Sequence, residues 1–597
     1  MVLKAVDWII LGVFFVILLS IGFLASRNAG RSAKDFFLSG RNMPWWLLGV
    51  SMVATTFSCD TPNLVTDIVR QNGVAGNWAW WAFLLTGMLT VFIYAKLWRR
   101  SKVMTDLEFY EIRYSGRLAA FLRGFRAIYL GAFFNIMVIA TVSLALIKIG
   151  AVMLQWSAEQ TLIIASIVVL LYATLGGLKS ILLTDFFQFG IAMTGAIGAA
   201  IILMKLPEVG GLANLIEHEA VRPKLNLLPD FSDTNMVIIL LIMPLAVQWW
   251  SVWYPGAEPG GGGYIAQRML SAKNERGAMG ATMLFNMLHY ALRPWPWILV
   301  ALISLVVFPD IASLRAAFPD IDPNIVKNDF AYPAMLSMLP NGFLGLVVAS
   351  LIAAFMSTTA SQLNWGSSYI ANDFYRRFLK PDATEKQVVM AGRVSTVALM
   401  LFAGLFALIL QNALQAFNIL LQIGAGTGLI YILRWFWWRI NAYTEITGMI
   451  VSFAIALYFE FVHPLTGLPE LATHWVLLIG VSITTAAWLT VTLLTKPVEK
   501  DTLRSFYRLV HPGGPGWKKV VADAKAEGVS IDPKEGMGWD VPTGILCMLL
   551  GAFSVYFILF ATGYYIYGNY APAIGLTAAA LLTVFFLTRF WRKLRME

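Results

Sequence analysis

The chain has 597 residues, of which 58% are hydrophobic and only 13% are charged. Soluble domains carry about 25% charged residues, so this composition excludes an ordinary soluble protein and indicates one that crosses a membrane several times. The formal net charge is +10, but the lysines and arginines lie in short loops between apolar runs. That placement is typical of cytoplasmic loops and argues against nucleic-acid binding.

Apolar runs long enough to span a bilayer follow one another along the chain, and we expect about fifteen transmembrane helices. The predicted spans lie near 5–26, 46–70, 76–97, 122–150, 160–176, 183–204, 236–258, 277–307, 341–371, 388–410, 413–435, 442–462, 474–496, 541–566 and 570–591. The first run lacks a basic leader and a clear cleavage site, so we expect a retained helix rather than a signal peptide.

The loops indicate the orientation of these helices. The loops after the first and third runs are rich in basic residues such as Lys34, Arg99 and Arg100, whereas the opposite loops hold few. The positive-inside rule therefore places the N-terminus outside and the C-terminus in the cytoplasm. An odd number of helices agrees with this orientation. The polar segment 497–540 is then cytoplasmic, and it is too short for a catalytic domain.

Two of the apolar runs contain residues that break helices. Asp60 and Pro62 interrupt the second run, and the string YPGAEPGGGG interrupts the seventh. Each could be harmless, since the first could be a simple kink and the second a loop after a helix. However, the breaks open two blocks of five helices, 46–204 and 236–435. Broken segments at matching positions of two halves are typical of inverted-repeat transporters, whose binding site lies at the breaks.

A third feature is the group of hydroxyls in AAFMSTTASQLN, inside the apolar run 341–371. Positions 354, 357, 358 and 361 share one face of a helix. A hydroxyl in a bilayer core needs a partner, and hydroxyl and carbonyl oxygens are ligands that small hard cations prefer. The alternative is that these side chains only bond the carbonyl one turn back.

Six short strings together resemble the sodium:solute symporter family. They are FFLSGRNMPWW (36–46), DLEFYEIRYSGR (106–117), GGLKSILLTDFFQ (176–188), YIAQRMLSAK (264–273), AAFMSTTASQLN (353–364) and GTGLIYILRWFWWRIN (426–441). They appear in family order, and the resemblance runs from about residue 5 to 460. It implies an all-α polytopic membrane protein with a five-plus-five inverted-repeat (LeuT-type) core whose first and sixth core helices are discontinuous.

The resemblance also implies how the chain is divided. The expected parts are a leading helix and cytoplasmic loop (1–35), the first inverted repeat (36–204), an extracellular loop (205–235), the second inverted repeat (236–440), accessory transmembrane helices (441–496), the cytoplasmic polar segment (497–540) and two C-terminal transmembrane helices (541–597). The expected activity is secondary-active symport, not enzymatic catalysis. Sodium would drive the import of a small polar organic solute by alternating access.

By the same resemblance, one sodium ion lies between the first and eighth core helices. Its expected ligands are the backbone carbonyls of Ala54 and Phe57, Ala354, and the hydroxyls of Ser357 and Thr358.

Some family members hold a second cation at the acid of the Thr-Asp-x-x-Gln motif with two further serines. Asp185 and Ser361 occupy two of these positions, but Ala360 stands where a hydroxyl is needed. We therefore predict one sodium, with Asp185 and Ser361 on its cytoplasmic exit path.

The solute is expected near the two breaks. The candidate residues are Asp60, Thr61, Trp80, Trp253, Tyr254, Glu258, His289, Arg293, Asn418 and Gln422. Aromatic faces suit sugars, bases and cations, although tryptophans also serve as interfacial anchors or core residues. A buried Arg293 needs a partner, which could be Glu258, Asp60 or a solute carboxylate. The sugar-transporting branch has glutamine where Thr61 stands and glutamate where Trp80 stands, so a galactose-like solute is not indicated.

Two alternatives to sodium-coupled symport are left open. One is proton coupling through Asp60, Glu258 or Asp185, and the other is a solute-binding membrane sensor that signals through 497–540. The expected partners are sodium, the solute and membrane lipid of the plasma membrane; a homodimer is a further option that the sequence does not decide.

Overall fold

The computed structural model describes residues 3–26, 32–56, 58–251, 258–321, 323, 326–409, 426–469, 471–531 and 538–596. Over these residues the fold is helical, and the β-structure recorded there is one isolated parallel bridge between Met43 and Ala272. Within the same ranges, eleven helices are long and apolar enough to cross a membrane. The figure of about fifteen spans stays a prediction.

The first half of the chain forms the helices α1 (Ala5–Ser26), α2 (Trp45–Thr56), α3 (Thr61–Asn72), α4 (Val74–Ser101), α5 (Gly116–Leu154) and α6 (Ala158–Leu203). The predicted break in the second apolar run is confirmed, because α2 ends at Thr56 and α3 begins at Thr61. Pro62 lies in the first turn of α3, where its missing N–H removes no helical hydrogen bond.

The predicted spans at 160–176 and 183–204 correspond to two helical segments of α6 that are separated by a kink. The backbone leaves helical geometry at Gly177, whose φ is +54°, so one segment ends there and the next begins. A Cβ at Gly177 would lie 2.6 Å from the carbonyl oxygen of Phe36. Only glycine meets both the positive φ and the close approach, which explains the kink at the Gly-Gly pair.

The second half forms α7 (Thr234–Ala246), α8 (Gly263–Ser271), α9 (Glu275–Val307), α10 (Phe343–Leu379), α11 (Glu385–Ile409), α12 (Ala442–Thr466), α13 (Thr473–Leu494), α14 (Lys500–Val510), α15 (Lys518–Ala526), α16 (Val541–Ile566) and α17 (Tyr570–Trp591). Short helices lie at Ala33–Leu38, Phe109–Arg113, Leu212–Glu217, Ile311–Ala317 and Ala331–Leu336, and residues 426–433 are also helical.

The second predicted break lies between α7 and α8. Residues 258–262 are not helical, and residues 252–257 lie outside the described part of the chain. Gly260 and Gly261 have φ values of +88° and +85°, which other residues rarely adopt. A Cβ at Gly260 would lie 2.9 Å from the ring of Tyr94. The glycine run therefore lets the backbone pass closely against α4.

Helix α10 forms the centre of the helix bundle. Its side chains are buried along nearly all of the stretch from Leu344 to Ser368, and it packs against α1, α2, α5, α6 and α11. A helix that is apolar around its whole circumference is expected to be enclosed by neighbours. The exception to this apolar character is the hydroxyl-bearing face that includes Ser357 and Thr358.

Asp7 fixes α1 to the start of α10. Its side chain is fully buried, and Oδ1 accepts hydrogen bonds from the backbone N–H groups of Gly342 (2.6 Å) and Gly345 (2.8 Å). The first N–H groups of a helix have no partner within it, and a carboxylate is favoured there by the helix dipole. A Cβ at Gly345 would lie 2.6 Å from the Cα of Asp7. The glycine therefore lets the two helices approach.

The C-terminal helices pack on the bundle. The hydroxyl of Tyr556 on α16 donates to the carbonyl of Trp81 on α4 at 2.8 Å. The indole N–H of Trp295 on α9 donates to the carbonyl of Leu559 at 3.0 Å. Helix α17 in turn packs along α16. Helix α16 is therefore joined directly to α4 and α9 of the bundle.

The described part of the polar segment 497–540 packs against the short helix Phe109–Arg113 and against the chain beyond α11. Trp517 is fully buried, and its indole N–H donates to the carbonyl of Trp435 at 2.9 Å. The guanidinium of Arg113 lies 5.1 Å from the centre of the Trp517 ring, within cation–π range. The segment therefore fastens the loop that contains Arg113 to the chain beyond α11.

Replacing Asp7 with alanine should lower the free energy of unfolding by about 1–3 kcal/mol, because two buried N–H groups lose their acceptor. Asp7→Asn keeps one acceptor oxygen and should cost less. Thermal unfolding of the purified protein in detergent measures the change, with the exposed Glu219→Ala as a control. Equal melting temperatures for Asp7→Ala and the control would contradict this role.

Candidate functional site

The hydroxyl face of α10 meets the broken end of α2. The hydroxyl of Thr358 donates to the backbone carbonyl of Thr55 at 2.8 Å. Thr55 lies in the last turn of α2, where carbonyls have no partner further along the helix. A side chain of α10 therefore reaches the free carbonyl end of the broken helix.

A buried carboxylate joins the same two helices to α6. The hydroxyl of Ser357 donates to Oδ1 of Asp185 at 2.7 Å, and the hydroxyl of Ser51 on α2 donates to Oδ2. Asp185 and Ser51 are fully buried, and Ser357 is 1% exposed. Charged groups in such surroundings require hydrogen bonds and an opposite charge.

Arg268 on α8 supplies that charge. Its Nη2 lies 3.8 Å from Oδ2 of Asp185 and donates to the hydroxyl of Ser361 at 2.6 Å. Ser361 is itself 2.8 Å from the hydroxyl of Thr55. Arg268 and Asp185 are both fully buried. The pair therefore lies at the point where α2, α6, α8 and α10 meet.

We call this group the hydroxyl cluster. It comprises Ser51, Thr55, Asp185, Arg268, Ser357, Thr358 and Ser361. The cluster offers hydroxyl, carbonyl and carboxylate oxygens from three helices that converge within hydrogen-bonding distance of one another. Oxygen ligands of this kind suit a small hard cation, and broken helices provide them in transporters.

Two of the other predicted sodium ligands lie beside this cluster. Ala54 precedes Thr55 at the end of α2, and Ala354 lies one turn before Thr358 on α10; both are buried. Phe57 lies outside the described residues. The sequence reasoning missed Ser51, Thr55 and Arg268 as members of the cluster. The spacing of Ser51 and Thr55 at i and i+4 on one helix face was the available signal.

A second group lies on the other side of the end of α2. Nη1 of Arg293 donates to the carbonyl of Thr56 at 3.0 Å, and its Nη2 lies 3.3 Å from Nε2 of His289. The Trp80 ring stacks on Tyr290 with 5.9 Å between centroids and meets His289 edge-on at 5.8 Å. The structure thus brings together three of the predicted solute residues, Trp80, His289 and Arg293.

Asp60 and Thr61 lie at the start of α3, and both are half-buried. The charge of Arg293 is close enough to act on the Asp60 carboxyl. Trp253, Tyr254, Asn418 and Gln422 lie outside the described residues, so their predicted roles rest on the sequence alone.

Glu258 belongs to a different group, a buried ion network between α5 and the chain that contains Arg434 and Glu445. Arg126 on α5 donates to its carboxylate and, at 2.7 Å, to the hydroxyl of Tyr431. Glu445 lies 3.6 Å from Arg126 and 3.5 Å from Arg434. The predicted solute residue Glu258 therefore has Arg126, not Arg293, as its observed ion-pair partner.

Asp106 extends this network to the start of α8. Its Oδ2 accepts the N–H of Gly263 at 2.9 Å, and Tyr369 donates to its Oδ1. Burial, together with the charge of Glu258, raises the pKa of Asp106 to about 6. The loop before α5, the start of α8 and the end of α10 are therefore joined by one set of polar contacts.

Comparison with known proteins identifies the family to which this protein belongs. The family model described as the sodium:solute symporter family matches residues 36–452. The chain belongs to this family. It is 26% identical over 478 residues to a sodium/glucose cotransporter of Vibrio parahaemolyticus, covering 77% of this chain and 86% of that one. It is 25% identical over 504 residues to a sodium/mannose cotransporter of Bos taurus, covering 77% and 80%.

A solved structure supports the fold. The outward-open, substrate-bound structure of a Na⁺-coupled sialic acid symporter superposes with a TM-score of 0.66 at 20% identity, over 83% of this chain and 99% of that one. The predicted all-helical symporter fold is thereby confirmed. The protein is a multi-pass membrane protein and a sodium-coupled symporter of a small polar organic solute, as predicted.

The pairing of Asp185 with Arg268 can be tested in the symporter by a double-mutant cycle. Arg268→Gln should lower the free energy of unfolding by about 3–5 kcal/mol, because it leaves a buried carboxylate without its cation. Adding Asp185→Asn should restore part of that loss. Thermal unfolding in sodium-free detergent buffer gives the comparison. Strictly additive effects of the two changes would show that the charges do not interact.

Proposed function

We propose that the transported sodium ion binds in the hydroxyl cluster between α2 and α10. Its proposed ligands are the hydroxyls of Ser357 and Thr358, Ala354 and the carbonyls of Ala54 and Phe57. The contact between Thr358 and the Thr55 carbonyl supports this, since it brings a hydroxyl of α10 to the last turn of α2. Such ligands coordinate a cation without adding net charge.

The proposed cytoplasmic exit path for sodium runs along Asp185 and Ser361. Arg268 contacts both of these residues, so a sodium ion on the path meets a fixed cation that uses the same oxygens. Two cations compete for one carboxylate, and the closer approach of one weakens the hold on the other. Arg268 is thus proposed to replace sodium at Asp185 as the ion leaves.

Ser357→Ala and Thr358→Ala should each weaken sodium binding at least tenfold, because each removes one ligand oxygen. An ion that binds only the folded state raises the melting temperature by mass action, so the rise on replacing choline with sodium should shrink. Potassium serves as the specificity control. Ser367→Ala is the matched variant, since the Ser367 hydroxyl on the same helix bonds the Asn364 carbonyl within its own helix at 3.0 Å.

If the sodium-induced rise were the same in Ser357→Ala, Thr358→Ala and Ser367→Ala, the proposed sodium site would be wrong. The hydroxyls would then serve helix packing alone, and sodium would bind elsewhere in the protein. A melting temperature that is the same in sodium and in choline for the wild type would instead favour proton coupling through Asp60, Glu258 or Asp185.

We propose that the solute is a hydroxylated organic molecule held against the aromatic group. The names of the relatives, cotransporters of glucose and mannose, support a solute rich in hydroxyls. Trp80 offers a flat face, and Asp60 and Arg293 offer an acceptor and a donor at its edge. The remaining proposed contacts are Thr61, His289, Trp253, Tyr254, Asn418 and Gln422.

Glu258 is proposed to act at the cytoplasmic end of the solute path. Its pair with Arg126 joins the segment before α8 to α5, so the two must separate for that side to open. Sodium entry supplies the driving force, because one charge moved across 100 mV contributes about 2.3 kcal/mol. The repeat boundaries 36–204 and 236–440, and an outside N-terminus with a cytoplasmic C-terminus, are part of this proposal.

Uptake of labelled glucose and mannose into proteoliposomes tests the solute proposal. A sodium gradient should drive accumulation of at least one of them, and Trp80→Ala should raise the KM about tenfold through loss of aromatic contact. Trp475→Ala, an exposed tryptophan on α13, is the control. Accumulation driven by a proton gradient without sodium would contradict sodium coupling, and an unchanged KM in Trp80→Ala would remove Trp80 from the site.

A further inference from the structure

A groove of about 810 Å³ opens on the surface of the bundle where three helices meet. Its walls come from the start of α2, the first turns of α9 and the end of α17, which contribute Trp45, Met283 and Trp591. The basic loop between α8 and α9 lies at one end of the groove. By the proposed orientation this end is cytoplasmic, so the groove lies at the inner boundary of the bilayer.

The two ends of the groove differ in chemistry. Lys273 and Arg276 line the end at the loop, and both are exposed. Neither forms an ion pair with any residue in the described part of the chain. The other end is apolar, with Trp45 48% exposed and Met287 41% exposed. Two cations therefore stand directly beside an open apolar channel.

Glycine gives the groove its depth. Gly277 and Gly280 lie about one turn apart on α9 and both line the groove. A Cβ at Gly280 would lie 3.5 Å from the ring of Trp45, so any larger side chain there would fill the space beside that ring. The groove is thus a channel along α9, bounded by an aromatic ring, of the kind that an extended acyl chain can follow.

We propose that this groove binds an anionic glycerophospholipid of the cytoplasmic leaflet. The phosphate pairs with Lys273 and Arg276, and one acyl chain lies over Gly280 between Trp45 and Met283. Charge complementarity supports this occupant, because the inner leaflet is rich in anionic lipid and basic side chains at its surface attract it. Exposed tryptophans near basic side chains are also typical of a membrane interface.

The proposed lipid would connect elements that move in transport with one that lies outside the repeats. Trp45 is the first residue of α2, the broken helix that leads to the hydroxyl cluster, whereas Trp591 ends the C-terminal helix α17. A lipid in this groove touches both. The bound lipid therefore stabilises the conformation in which Trp45, at the start of α2, lies beside Gly280 of α9.

The test uses the full-length protein in detergent, titrated with phosphatidylglycerol or with phosphatidylcholine of the same acyl chains. Phosphatidylglycerol should raise the melting temperature more than phosphatidylcholine, because it binds the folded state more tightly. Lys273→Ala/Arg276→Ala should weaken the apparent affinity for phosphatidylglycerol about 30-fold. The control Lys34→Ala/Arg117→Ala removes two exposed cations elsewhere on the same side and should keep the full response.

A second variant tests the contribution of the acyl chain to binding separately from that of the headgroup. Gly280→Leu leaves both cations in place but fills the channel, and it should lose the response to phosphatidylglycerol as well. The proposal fails if both lipids act alike on the wild type, or if Gly280→Leu keeps the response. It also fails if glycerol phosphate alone reproduces the effect, since the groove would then bind a free phosphate. These outcomes do not depend on sodium or solute, so they are distinct from a failure of the proposed function.

Discussion

The buried Asp185 carboxylate is the interaction on which the rest of the site depends. It is held by hydroxyls of α2 and α10 and faced by a guanidinium of α8, so four helices are tied at one point. A charge in such surroundings is stable only while its partners stay in place. If α2 or α8 moves relative to α6 and α10, the Asp185 carboxylate must therefore exchange its hydrogen-bond or ion-pair partners. In the proposed mechanism sodium enters that exchange, which couples ion binding to helix movement.

The breaks in the helices make this arrangement possible. An intact α2 would use its own carbonyls for helical hydrogen bonds, whereas the end at Thr56 leaves them available to Thr358 and Arg293. One end of the broken helix thus faces both groups, the hydroxyl cluster and the aromatic group around Trp80. The proposed ion and solute sites share this end, which gives each ligand a direct influence on the other. That closeness is the physical basis for coupling in the proposed mechanism.

A network of buried charges, and not apolar packing alone, joins the elements on the side that we propose to be cytoplasmic. Arg126, Glu258, Glu445 and Arg434 are buried together, and the segment 497–540 fastens Arg113 and Trp435 from outside. Buried ion pairs add little net stability but have strict geometric requirements. The polar segment thus contacts the same loops that move for release in the proposed mechanism.

The sequence determined the membrane class, the broken helices and the hydroxyl-bearing face of α10, because each follows from local composition and helical spacing. It also carried the family's strings, which predicted Ser357 and Thr358 as sodium ligands and Asp185 and Ser361 on the exit path of the ion. It did not show that Arg268 pairs with Asp185, that Glu258 pairs with Arg126, or that Asp7 caps α10. Those partners are separated by 83, 132 and 335 residues, and only packing of the helices decides which charges meet. Local propensity specifies each helix, whereas the need to satisfy every buried charge is met across helices and is therefore visible only in the tertiary structure.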